Sequence, residues 1–220
     1  MKRFLISVIS ILVLGSASIS AQSLSLGITG GPTFIQKPDV YKNDINELGS
    51  NLGFKSNYHI GAKLKLGFPV IPLKFNGQIV YTSFKGTKEG LYTGWMEIPS
   101  TVSAVKMETS TSLLTLSAGA EYMLIPGPIA PYLTADLQLN SQNSTKLKLS
   151  MPGGDNLESS TDNGSRMGLG IGAGLNIGIL PGIDIDATVK YNFLNFIGKK
   201  NDEESFNTLN VTLSLLFPIL

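Results

Sequence analysis

Ionisable side chains stand at alternate positions within apolar stretches of this chain, and they are the residues whose spacing could support chemistry. His59, the only histidine, is followed at even spacing by Lys63 and Lys65. The other members of this pattern are Lys74, Glu121, Asp136, Asp184, Asp186 and Lys190. Buried charges stay ionised only when they are paired. Because the set holds four lysines and four carboxylates, we predict a mutually neutralising structural cluster and not a channel of one sign.

His59 could also act as a general base, with Ser56 or Ser83 as the nucleophile, in an enzyme that modifies lipid. Neither serine has a spacing that singles it out. A metal site generally takes several His, Cys or carboxylate ligands, and the chain has one histidine and no cysteine. We therefore expect His59 to be a hydrogen-bonded interior residue, and we predict no catalytic, metal or cofactor site.

The segment that most clearly shows the underlying structure is Arg166–Leu180, in which apolar residues alternate with glycine or asparagine. A period of two indicates a β-strand with one apolar face. The alternation recurs and predicts eight strands: 24–29, 55–68, 73–85, 107–124, from 131 onward, 166–180, 183–197 and 206–217. Connections after odd-numbered strands are long and polar, and those after even-numbered strands are short and carry Pro or Gly. This order predicts an all-β, antiparallel up-and-down barrel.

Closure of eight strands places strands four apart on opposite walls. We expect the glycines of the sixth strand to leave room for His59, Lys63 and Lys65 of the second. By the same rule Lys74 should face Asp184 and Asp186. Gly30-Gly31-Pro32 predicts a bulge or an early strand end, and 152–164 reads as a loop.

The N-terminus has the three parts of a secretory signal peptide. Lys2 and Arg3 precede an apolar run at 4–14 and small residues up to Ala21, a pattern too short for a membrane-spanning helix. We place cleavage after Ala21, with Ser20 as the alternative, and assign 22–220 to one barrel domain. Without Lys2 and Arg3 the chain has one acidic residue in excess, so nothing indicates a nucleic-acid partner.

Bulky apolar residues from eight strands would overfill a small soluble barrel. The other strand face carries glycine, small polar residues and the charged set, which fit a narrow lumen. Strands of about 9–11 residues cross a bilayer, and aromatic girdles mark both interfaces. The predicted girdles are Phe68, Phe75, Tyr122 and Phe217 at one end, and Phe34, Tyr58, Tyr81, Tyr191 and Phe193 at the other.

These features together resemble the small eight-stranded outer-membrane proteins of the OmpA/OmpX type, the outer-membrane β-barrel domain family. The resemblance covers the mature chain. It implies residence in the outer membrane of a Gram-negative cell, with lipid as surroundings, short periplasmic turns, long external loops and insertion by the barrel-assembly machinery. Phe217 has the outward position of the aromatic residue that this machinery reads, but Pro218, Ile219 and Leu220 follow it.

Strands four and five are expected to continue beyond the apolar belt, through Lys106–Ser112 and Ser141–Ser150. Such a hairpin would offer backbone edges to a surface partner. We therefore predict a monomeric integral barrel with a structural or surface-interaction role and a mostly occluded polar lumen. The alternatives are a narrow pore for small polar solutes, a lipid-modifying enzyme, and an exported soluble binder of the lipocalin type.

Overall fold

The computed structural model describes residues 23–38, 54–68, 71–90, 105–143, 145–150, 156–160, 164–180, 182–199 and 204–219. These residues form ten strands and, among them, no helix is long and apolar enough to cross a membrane. The strands are β1 (Ser23–Lys37), β2 (Phe54–Gly67), β3 (Leu73–Gly90), β4 (Val105–Met123), β5 (Ile129–Gln142), β6 (Lys146–Ser150), β7 (Asn156–Ser160), β8 (Gly164–Leu180), β9 (Ile183–Ile197) and β10 (Asn207–Pro218).

Eight of these strands close into an antiparallel barrel in the order β3-β2-β1-β10-β9-β8-β5-β4, and a β3–β4 ladder completes the ring. Closure leaves no unpaired edge within the barrel wall, which is what the hydrocarbon of a membrane requires. Short connections join β2 to β3, β4 to β5 and β8 to β9 at one end, here called the turn end. The opposite, loop end carries the long connections. The predicted eight-stranded barrel is confirmed.

The alternation seen in the sequence separates the side chains of each wall strand into an inward face and an outward face. On β5 the burial alternates residue by residue from Ile129 to Gln142, and Leu133, Leu137 and Leu139 are more than half exposed on the outer face. Thr134, Asp136 and Gln138 are buried in the lumen. The arrangement is polar inside and apolar outside, the reverse of a soluble barrel.

Two details of the expected strands are wrong. The β1–β10 ladder has no pair at Gly31 or Pro32, but it resumes at Thr33 in unchanged register, and the bulge lies instead between Ile35 and Lys37. An added Cβ at Gly31 would press on the carbonyl oxygen of Val211. Glycine therefore lets β1 and β10 approach closely beside the proline, and the strand continues.

The region from 152 to 164, expected to be a loop, contains β7. The outer part of β4 pairs with β6 from Lys106↔Ser150 to Ser110↔Lys146, and β6 pairs with β7 along its whole length. The β3–β4 ladder also extends to Gly90↔Val105. The predicted projection of the fourth and fifth strands is thus present, as a four-stranded sheet of β3, β4, β6 and β7 rather than a two-stranded hairpin.

Candidate functional site in the barrel lumen

Four of the predicted charges meet near the turn end, and we call them the ionic plug: Lys63, Lys65, Glu121 and Asp186. Lys63 Nζ lies 3.0 Å from Glu121 Oε1 and 3.0 Å from Asp186 Oδ1. Lys65 Nζ lies 2.7 Å from Glu121 Oε2 and also binds Asp186 Oδ2. None of the four is more than 3% exposed. Each charge contacts two of opposite sign, so the plug is electrically neutral and joins β2, β4 and β9.

Tyr132 completes the plug and was missed in the sequence. Its hydroxyl donates to Asp186, whose oxygens lie 2.9 and 3.0 Å away, and it lies 2.6 Å from Thr188 Oγ1. Lys65 Nζ lies 4.7 Å from the centre of its ring, within cation–π range. The signal for an interior position was present, because Tyr132 is at even spacing from Thr134 and Asp136 on β5.

A second polar layer lies closer to the loop end. Lys190 Nζ is 2.6 Å from Asp136 Oδ2. Gln138 Nε2 donates to Asp136 Oδ1 at 2.7 Å and to Asn192 Oδ1 at 2.8 Å. The pair is therefore held by neighbours on β5 and β9, and three lysines balance three carboxylates in the lumen.

His59 lies in the lumen, 3% exposed, between two threonines. Thr33 Oγ1 is 2.9 Å from Nδ1, and Thr212 Oγ1 is 2.9 Å from Nε2. Ser83 lies beside Tyr58 in the β2–β3 register and shares the outward parity of Tyr81, whereas His59 points inward. The side chain of Ser56 lies outside the described residues. The geometry makes His59 a bridge between β1, β2 and β10.

Lys74 and Asp184 do not join the charge cluster, although both were predicted members of it and Lys74 was expected to face Asp184 and Asp186. Both are only half-buried, and neither has an ion pair to a described residue. They lie within two residues of the strand ends at the turn end, where water reaches them. Asp186 lies two residues further into the lumen on the same face of β9, and it forms ion pairs with Lys63 and Lys65.

The glycines of β8 do leave space, but not for the side chains that we expected. A Cβ at Gly174 would strike the Tyr132 ring, and one at Gly170 would lie 2.6 Å from both Asp136 Oδ1 and Gln138 Nε2. The side chains that fill this space belong to the adjacent strand β5. Strand tilt and stagger shift the opposite strand β2 along the barrel axis, so its side chains do not lie level with these glycines. Lys63 and Lys65 cross the lumen to Asp186 and Tyr132 instead.

Above the second polar layer the lumen contains a cavity of about 30 Å³, which we call the chamber. Its lining includes His59, Gln138, Lys190 and Asn210. At the loop end it is bounded by the apolar collar, five buried side chains that pack together. These are Ile35, Phe84, Leu113, Leu194 and Phe206.

The collar is fixed by both packing and hydrogen bonds. The rings of Phe84 and Phe206 have centroids 5.8 Å apart. The backbone N–H of Phe206 donates to Asn195 Oδ1 at 2.8 Å, and the N–H of Leu194 donates to the Phe206 carbonyl at 2.8 Å. The inward face was expected to carry mainly polar residues and glycine, so this cluster was not predicted from the sequence.

The lumen thus offers paired charges, hydroxyls and amides in contact with one another. No group of three His, Asp or Glu side chains in the described ranges is arranged to hold a metal ion. What the described arrangement can do chemically is to join strands across the barrel.

Several solved structures are similar to this chain. Among solved structures, a major outer membrane protein from Thermus thermophilus aligns with a TM-score of 0.55 and 13% identity, over 90% of this chain and all of its own. Neisserial surface protein A aligns at TM-score 0.46 and 21% identity, covering 90% and 97%. Ail, the attachment invasion locus protein of Yersinia pestis, solved with the heparin analogue sucrose octasulfate, aligns at 0.43 and 16%, covering 89% and 97%.

A comparison with curated proteins found no match. The model of the outer membrane protein beta-barrel domain, in contrast, matches residues 7–217. Apart from the last residue of β10, that span includes all eight strands of the barrel wall, whose outer face is apolar. The chain therefore belongs to the outer membrane protein beta-barrel domain family and is an integral protein of the outer membrane.

Proposed function

We propose that this protein is a structural and surface-interacting barrel whose lumen is occluded. The observation that supports occlusion is the ionic plug, in which Lys63, Lys65, Glu121 and Asp186 span the lumen with every charge neutralised. Barrels of eight strands have an interior just wide enough for side chains to fill. A conduit for polar solutes would need these pairs to separate, at the cost of leaving buried charges without partners.

Planar-bilayer recording tests this proposal against the alternative of a narrow pore. The purified barrel should produce no steady conductance in symmetric salt, while a general porin reconstituted in the same way produces it. Stable single-channel steps from the wild-type barrel would contradict occlusion and support the pore.

The surface role rests on the projecting sheet. Only the inner side of β7 is paired among the described residues, with β6, so its other edge can accept an extended segment of a partner protein. Replacement of 146–160 by a short Gly-Ser segment should leave barrel unfolding unchanged and abolish adherence of expressing cells to immobilised extracellular-matrix proteins. Equal adherence of cells that express the wild type and the replaced variant would show that this sheet does not mediate the surface interaction.

The proposal gives His59 a structural role and assigns no catalysis, because both of its ring nitrogens lie beside threonine hydroxyls. It also includes export through a signal peptide at residues 1–21, a monomeric barrel at 22–220, and recognition of Phe217 by the barrel-assembly machinery.

A further inference from the structure

We infer that the chamber is a water site sealed at both ends, by the ionic plug toward the turn end and by the apolar collar toward the loop end. This inference rests on the proposed occlusion and goes beyond it, because it assigns the barrier to two separate seals with a hydrated space between them.

The water is required by unpaired acceptors. Gln138 is 2% exposed, its Oε1 has no partner among the described residues, and it lines the chamber. Asn210 Oδ1, on the same lining, is likewise buried without a partner. A buried acceptor left unpaired costs about 1–3 kcal/mol, and a cavity of about 30 Å³ holds at least one water. Because Lys190 lies on the same wall, water satisfies these oxygens better than a cation.

The two seals work by different physics. At the turn end, opening separates ion pairs and costs desolvation. At the loop end, Phe84, Leu113 and Leu194 belong to both the collar and the chamber lining. An apolar constriction of this kind excludes water because its side chains offer no hydrogen bonds. Either seal is therefore sufficient to stop ions, and loss of one seal should connect the chamber to only one side of the membrane.

A single engineered cysteine can report on access, since the chain has none. Thr82→Cys places a thiol on the chamber wall at a residue 4% exposed. A small charged methanethiosulfonate should modify it slowly in the otherwise wild-type barrel. Modification should accelerate by about tenfold or more when either end is opened, because access then no longer requires local unfolding.

The variant that opens the plug is Lys65→Ala/Glu121→Ala, which removes one charge of each sign. The variant that opens the collar is Phe84→Ala/Leu113→Ala, and its matched control is the outward-facing pair Tyr81→Ala/Leu114→Ala on the same strands. The plug variant and the collar variant should each accelerate thiol modification without producing steady bilayer conductance. A barrel that carries both pairs of substitutions should conduct ions. The control should do neither.

Conductance after opening either end alone would show that the other end is no seal, while occlusion of the wild type would still stand. Conductance by the wild type would instead overturn the proposed function itself. Circular dichroism establishes that each variant is folded. If the combined variant does not fold, unchanged thiol modification in both variants that open one end overturns the inference.

Discussion

Single charges in the lumen differ in importance according to their partners. Asp186 and Asp184 are two residues apart on the same face of β9, yet Asp186 binds both Lys63 and Lys65 and Asp184 binds no described cation. Asp186→Ala leaves two buried ammonium groups short of an anion, which typically costs about 3–5 kcal/mol. We expect a loss of that order in the free energy of unfolding, measured by urea titration in lipid vesicles.

Asp184→Ala is the matched control. Because its carboxylate is half-exposed and unpaired among the described residues, the free energy of unfolding should change by less than about 0.5 kcal/mol. Equal losses in the two variants would mean that the plug does not hold the strands together.

At this scale the sequence predicted which residues point inward but not which partners they meet. Spacing alone placed His59, Lys63, Glu121, Asp136 and Lys190 in the lumen, because alternate residues of a β-strand point to the same face. It could not give the pair Lys65–Asp186, because strand stagger decides which residues lie level across the barrel. Tyr132 was missed because an aromatic ring was not expected on a face read as polar and small.

The packing of β8 against its neighbours depends on its glycines. Tyr132 lies where a Cβ on Gly174 would be placed, and the carbonyl oxygen of Ala187 is 2.7 Å from the same point. Gly174→Ala should therefore push the Tyr132 hydroxyl away from Asp186. Overpacking of this kind costs typically about 1–3 kcal/mol, and thermal unfolding in detergent should show it as a lowered midpoint.

Gly178→Ala, on the same strand, tests whether the effect is one of position. Its added Cβ would lie 3.5 Å from Asp184 Oδ1, an ordinary contact. The midpoint should stay unchanged or rise slightly, because alanine restricts the unfolded chain more than glycine does. A similar fall for both glycines would indicate a general loss of strand flexibility rather than a clash with Tyr132.

Except at the end of β1, strand boundaries were read well from the sequence where lipid and lumen impose opposite faces. Ile183–Ile197 was predicted to the residue. The prediction failed beyond the apolar belt, at β7, because 156–160 has no alternating apolar face to mark it. The expected polarity of the inward face failed at the collar, where the apolar side chains of Phe84 and Leu113 point into the lumen.

Across the whole molecule, lipid contact explains the outward side chains, and it makes the cost of a charge depend on its height in the membrane. Leu137 lies in the middle of β5 and Ile125 lies in the β4–β5 turn, and each is 61% exposed. In water the two positions would tolerate arginine equally. In a bilayer, Leu137→Arg should lose about 2–4 kcal/mol of the free energy of unfolding, and Ile125→Arg about 0–1 kcal/mol.

Urea titration of both variants in phospholipid vesicles measures this difference, since the belt of outward leucines and isoleucines then has hydrocarbon as its solvent. The outward face of β5 is apolar from Ile129 to Leu139, with Leu133, Leu137 and Leu139 each more than half exposed, so the nearest outward neighbours of the charge on that strand cannot offset its desolvation. Equal tolerance of arginine at the two heights would mean that β5 does not cross the hydrocarbon core. That result would contradict the membrane position that the polar lumen and apolar exterior together require.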